Sequence, residues 1–443
     1  MWNIVALRRF NGAPAPGSLR RWSALLVKVG TVQAIVQAVQ IGTGIWIIRL
    51  TSKTEYGYYT IANSLYFSLL LLADSGVTAS LWASGGKAWQ DSGRLGQLLR
   101  SALVARRHLA LAMAGAVIPV LIGLLIRNGA PWSRALFLGG IVGFTIIGEL
   151  TTHTYMVIFR LRSQFRFTQR IALIGAIGRL LWLSVFSLGR LFAEPAFLAS
   201  TVNTVVQWVL LRRRIGEHAE LTAIRDPEAE RETKDVVKRQ LPLNIYYCLQ
   251  GQIGVWLASV FGTVHEVSDI GALGRLGALF TVGICTIREV VLPAFAKTQS
   301  PEMVRKRYFQ ISGGYIGILS SAVLVVLVFR QQALRILGPQ YSQLGAELLL
   351  AMAFAAITAL IQVLWELNYS RAWIVSPAPY IVVTTALQAA LFLTMDVSTV
   401  RGILWFSILS LAPSAIFPVW LTMRKIRAIE TESADALVET QSV

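Results

Sequence analysis

Two arginines sit where a charged side chain is expensive. Arg179 lies in Ala176-Ile177-Gly178-Arg179-Leu180 and Arg275 in Gly271-Ala272-Leu273-Gly274-Arg275-Leu276, each inside an apolar run of about twenty residues. A guanidinium keeps its charge when desolvated, and its fork of donors matches phosphate oxygens two at a time. Facing one cavity, the pair would bind a diphosphate. Alternatively, each pairs with a buried carboxylate or reaches along its helix to the membrane surface.

Other ionisable groups lie toward one end of their apolar runs: Asp74, Glu149, Glu289 and Glu366, with Lys28 and Arg288 at similar depth. Aligned there, they would form an inner ionic layer, acting as a gate, as an ion-coupling site, or as static pairs that hold helices together. Glu149 and His153 are four residues apart, so on a helix they share a face and would pass a proton, hold a cation, or simply pair. Gln33, Gln37 and Gln40 in one run, and Asn244, Gln250 and Gln252 in another, would meet sugar hydroxyls or bond across helices.

Signatures of covalent, metal or nucleotide chemistry are absent. Gly85-Gly86-Lys87-Ala88 lacks the earlier glycine and the Ser/Thr of a phosphate-binding loop, and no HExxH, paired CxxC or nucleophile elbow occurs. Cys248 and Cys285 fall in separate apolar runs and read as packing residues. The sequence therefore predicts no catalytic residue, no metal, no cofactor and no enzyme.

The elements that must hold these groups are membrane helices. With 55% hydrophobic and 14% charged residues and a mean hydropathy of +0.58, the 443-residue chain is too apolar for a soluble protein. Apolar stretches centre on 24–48, 57–84, 107–126, 135–159, 168–188, 191–211, 241–262, 268–296, 307–329, 344–369, 376–395 and 401–423, which predicts about twelve transmembrane helices. With both termini cytoplasmic, inner segments carry 29 Lys and Arg and outer loops 8, with four inside spans. That bias sets the orientation and accounts for the net charge of +18 without nucleic acid.

The predicted organisation is an all-α membrane protein with a cytoplasmic N-tail (1–23), a six-helix lobe (24–211), a solvated cytoplasmic linker (212–240) and a second six-helix lobe (241–423). A cytoplasmic C-tail (424–443) follows, predicted to lack regular structure. Glu55-Tyr56-Gly57-Tyr58-Tyr59 and Glu266-Val267-Ser268-Asp269-Ile270 open the second span of each half, a layout expected of a parallel repeat around a central cavity.

Arg49-Leu50-Thr51, Glu55 through Tyr59, and Leu72-Ala73-Asp74-Ser75-Gly76-Val77 resemble the polysaccharide and O-antigen flippases of the multidrug/oligosaccharidyl-lipid/polysaccharide (MOP) superfamily. In the second half Leu241-Pro242-Leu243, Val260-Phe261-Gly262, Ala272 through Leu276 and Val291-Leu292-Pro293-Ala294-Phe295 carry the same likeness. The resemblance implies a two-lobed carrier in the bacterial inner membrane. Its cargo would be a polyprenyl-diphosphate-linked oligosaccharide for O-antigen, exopolysaccharide or capsule, and its partners the bilayer, a polysaccharide polymerase and other glycan-assembly membrane proteins. Arg275 would be a cavity arginine. A cation-coupled drug antiporter of the same superfamily, and a polymerase, ligase or scaffold of the glycan pathway, are the competing expectations.

Overall fold

The computed structural model describes residue 32 and residues 35–187, 192–220, 226–280, 283–284, 287–296, 298, 300–371, 373 and 378–441, and among them all regular structure is helical. The first half holds α1 (Ile35–Leu50), α2 (Lys53–Asp74), α3 (Val77–Lys87), α4 (Ser92–Arg127), α5 (Trp132–Leu161), α6 (Phe165–Phe186) and α7 (Ala193–Ile215). The second holds α8 (Pro227–Phe261), α9 (Val264–Gly277), a π turn (Ile287–Val291), α10 (Leu292–Ala296), α11 (Pro301–Val328), α12 (Arg330–Leu337), α13 (Gly345–Ser370), α14 (Ala378–Thr394), α15 (Val400–Ser410) and α16 (Ala412–Gln441). Among the described residues six helices are long and apolar enough to cross a membrane, seven when α2 and α3, bent by 41°, count as one span. In chain order the helices occupy the twelve predicted segments.

Local chemistry sets the ends. Ser52 caps α2 by accepting from the Glu55 amide at 3.3 Å, and Thr263 with Glu266 forms a reciprocal capping box on α9, so the two Glu-containing segments open equivalent helices. The second span of each half is also interrupted. The chain breaks between α2 and α3 at Ser75 and Gly76, whose φ of +95° a side chain would strain, and between α9 and α10 it passes through the π turn.

Helices α8 and α9 pack the second half onto α2. A close backbone approach is at Gly57, where a Cβ would stand 2.5 Å from the Val264 carbonyl oxygen. One set of polar bonds between the halves lies at this same end. Lys53 pairs with Asp269 at 2.8 Å, and Arg49 donates to the carbonyls of Arg335 (2.6 Å) and Ile336 (2.9 Å). Arg127 and Asn128 donate to Val260 and Ser259. The Arg134 guanidinium holds Glu55 and Glu194 together, locking α2, α5 and α7 beneath this seam.

Residues 227–240 are the first four turns of α8. Asp226 caps that helix and pairs with Arg94 at 2.7 Å, while Thr233 meets Ser80 at 2.9 Å, so the connector docks one face on α3 and α4 and keeps the other in solvent. At the C-terminus the expectation of an irregular tail is corrected: α16 continues to Gln441, in a stretch (Ala434-Asp435-Ala436-Leu437) rich in good helix formers.

Because the atom opposite Gly57 is backbone, Gly57→Ala is expected to lower the melting temperature of the purified protein, with a cost of about 1–3 kcal/mol. Gly86→Ala, which meets nothing within 4 Å, is expected to leave it unchanged in the same thermal-shift experiment.

Candidate functional site

Both arginines singled out from the sequence reach one buried phenol. Tyr59, on α2, is 1% exposed. Its hydroxyl accepts from Arg179 Nη2 on α6 at 3.0 Å, and the Arg275 guanidinium of α9 stands beside it and beside the Tyr56 hydroxyl, acting on both. The chain positions the pair by helix arithmetic. Tyr59 lies roughly 9 Å from the start of α2, and Arg179 roughly 10 Å from the end of α6, at the same face of the bundle. Arg275 starts deeper, roughly 16 Å into α9, and its long side chain climbs toward the two phenols. Tyr56 and Tyr59 stack at 5.9 Å and Phe197 closes against Tyr59 at 5.2 Å, so the acceptors stand in a dry aromatic wall. Helix α1 borders Arg275 with Gly44, where a Cβ would already lie 3.3 Å from the arginine Cδ.

Two guanidinium charges converge here, and a single hydroxyl uses few of their donors. Both side chains are half-buried, and Arg179 Nε has no partner among the described residues. An anion with several oxygens would satisfy what the tyrosines leave open. Behind Arg179 stands Glu149, whose carboxylate accepts from Thr204 at 2.7 Å and faces His153 Nε2 at 3.3 Å. The expected Glu149–His153 pair on α5 is therefore formed, and Arg179 is the cation that acts on it across the bundle.

The remaining groups separate into the two halves. Asp74, the last residue of α2, binds Arg106 of α4, a residue 3% exposed that also donates to Thr154 and to the Leu150 carbonyl. Arg106 precedes the apolar stretch 107–126, but α4 begins fourteen residues before it, at the start capped by Asp91. Arg288 of the π turn binds Glu366 of α13. Each of these pairs joins elements of one half. Lys28 and the side chain of Glu289 lie outside the described residues, as does Gln33. No group of three or more metal-ligating side chains occurs among the described residues.

No family model matches the sequence, and no curated protein matches it. The fold does match solved structures. An inward-facing multidrug resistance MATE family transporter of the MOP superfamily superposes with a TM-score of 0.66 at 14% identity, over 91% of this chain and 99% of that one. An outward-facing one gives 0.60 at 13%, over 92% and 96%. A MOP superfamily transporter from Pyrococcus furiosus, described as having a binding pocket of reverse polarity, gives 0.57 at 14%, over 92% and 95%. The chain thus shares the all-helical fold of these membrane transporters.

Asp74→Asn strands a buried guanidinium and is expected to destabilise the protein by roughly 3 kcal/mol. Glu366→Gln removes a partner from an arginine that is 47% exposed, which is expected to cost under about 1 kcal/mol. Thermal unfolding of the two variants side by side measures the difference.

Proposed function

We propose that this chain is a carrier that moves a polyprenyl-diphosphate-linked oligosaccharide from the cytoplasmic to the periplasmic leaflet of a bacterial inner membrane by alternating access. The observation that supports this reading is the meeting of Arg179 from one half and Arg275 from the other on the single hydroxyl of Tyr59. A diphosphate bound between them would be held by both halves at once, so rocking one half against the other changes the side from which it is reached.

The bias of Lys and Arg to alternate loops supports an orientation with both termini, the basic connector and the Arg288–Glu366 pair on the cytoplasmic side. On this reading the seam at Lys53–Asp269 and Arg49–Ile336 lies at the periplasmic end and the contacts of α8 with α3 and α4 at the cytoplasmic end, and alternating access parts them in turn. Asp74 with Arg106, and Arg288 with Glu366, hold each half rigid as it moves, and Glu149 with His153 is where an ion would couple. Export of an anionic head group down an inside-negative potential is itself favourable by about 2.3 kcal/mol per charge per 100 mV. Polymerase and other glycan-assembly proteins of the membrane are the natural partners of such a carrier.

The similar structures that are multidrug transporters make a cation-coupled antiporter the competing reading, and the half-buried Glu149 favours it. A cationic drug, however, would meet two guanidinium groups against one carboxylate. The Pyrococcus furiosus transporter, for which a different function is suggested from its pocket of reverse polarity, is a precedent within this fold for a change of charge.

The test is complementation of a strain lacking its own polysaccharide flippase, at matched membrane expression. Wild type is expected to restore surface glycan, Arg275→Ala and Arg179→Ala to abolish it, and Arg275→Lys to restore it only in part, since an ammonium lacks the planar fork. Full activity of both alanine variants contradicts the assignment of the arginines. Drug resistance without glycan export favours the antiporter.

A further inference from the structure

The second half contains a row of aromatic rings that the arginine site leaves unused. Trp365 of α13 stacks on Tyr369 at 5.7 Å and on Phe417 of α16 at 6.1 Å, with interplanar angles of 23° and 29°. Phe417 leads to Tyr380 of α14 at 5.9 Å, which meets Tyr246 of α8 edge-on at 5.8 Å. One turn further along α8 and two along α14, Gln250 and Gln388 exchange two amide hydrogen bonds of 2.8 and 2.9 Å. The rings thus come from four helices and continue into an amide pair set deeper along the same two helices.

A membrane-interface belt presents rings singly to the headgroups. Here Tyr246 and Tyr380 are 7% and 8% exposed and turn inward, while Tyr369 (39%) and Tyr247 (42%, facing Tyr369 from α8) keep one end of the row accessible. Each glutamine amide, once paired, still has one N–H and one carbonyl lone pair to offer. Stacked aromatic faces beside phenols and amides are complementary to a pyranose ring, which alternates patches of C–H with hydroxyls that both donate and accept. The charge pair beside the row, Arg288 with Glu366, adds a donor and an acceptor at its open end.

The geometry points to a sugar subsite between α8, α13, α14 and α16, separate from the arginines, that takes the first hexose or N-acetylhexosamine of the cargo. This inference rests on the carrier reading above and adds the part of the substrate that the arginines do not recognise. The row lies toward the opposite membrane face from Tyr59, so one molecule engages both sites by extending along the bundle axis. The diphosphate is held at the seam between the halves and the glycan against the second half.

Binding to the full-length protein in nanodiscs tests it with two probes, a polyprenyl diphosphate and the same lipid bearing one N-acetylglucosamine. Wild type is expected to bind the glycosylated probe about tenfold more tightly, the worth of one well-satisfied stacking and hydrogen-bond set. That ratio is expected to fall toward one in Trp365→Ala. It is expected to fall likewise in the double variant Gln250→Leu/Gln388→Leu, which replaces both amides by groups of similar size and so spares the helix packing. Arg275→Ala is expected to weaken both probes and keep the ratio. Equal binding of the two probes by wild type, or an unchanged ratio in the double leucine variant, overturns the subsite while leaving the carrier reading intact. If wild type binds neither probe, the carrier reading fails and the subsite falls with it.

Discussion

A guanidinium placed inside a bilayer must find its acceptors within the protein, and Arg275 finds them on the other half of the chain. Its charge, set beside Tyr56 and Tyr59, couples α9 to α2, and Arg179 reaches the Tyr59 hydroxyl from α6. Because the acceptors are neutral phenols, the charge is held without being cancelled. A carboxylate in the same place would have made a closed ion pair with nothing left for a ligand.

The rest of the architecture follows from keeping α2 and α9 in register. Gly57 lets the two backbones close to contact, the capped starts at Ser52 and Thr263 fix where each helix begins, and Lys53–Asp269 pins the ends. Arg134 braces α2 against α5 and α7 from behind. Beyond the seam the two spans lose regularity, one at Ser75–Gly76 and the other at the π turn, so each half is stiff where it meets its partner and jointed farther away. Such an arrangement concentrates the cost of separating the halves into a few named contacts.

Much of this was legible in the sequence. The twelve segments, the buried positions of Arg179 and Arg275 and the Glu149–His153 pair follow from hydropathy and from the spacing of residues on a helix. What was hidden depends on contacts between distant segments. Tyr59 looks like one more interfacial aromatic beside Tyr56 and Tyr58, and only the meeting of α6 and α9 makes it an acceptor. Arg106 sits next to Arg107 in a stretch that reads as a basic loop, because hydropathy windows cannot tell a helix that protrudes from the membrane from the loop preceding it. Gln250 and Gln388 are each a polar residue in an apolar run, but nothing local pairs two positions over a hundred residues apart. The connector too looked merely solvated, since its mixed charge conceals the face, centred on Ala229 and Thr233, that docks on α3 and α4.

The central claim is that the seam between α2 and α9 opens when an anion engages the two arginines. Spin labels at Leu50 and Gln332, both exposed at the sealed end, report its width by electron–electron distance measurement in nanodiscs. Addition of a polyprenyl diphosphate is expected to create a second, longer distance population in the labelled wild-type background and none when Arg275→Ala is added. A single distance that ignores the lipid, or the same lengthening without Arg275, would contradict it.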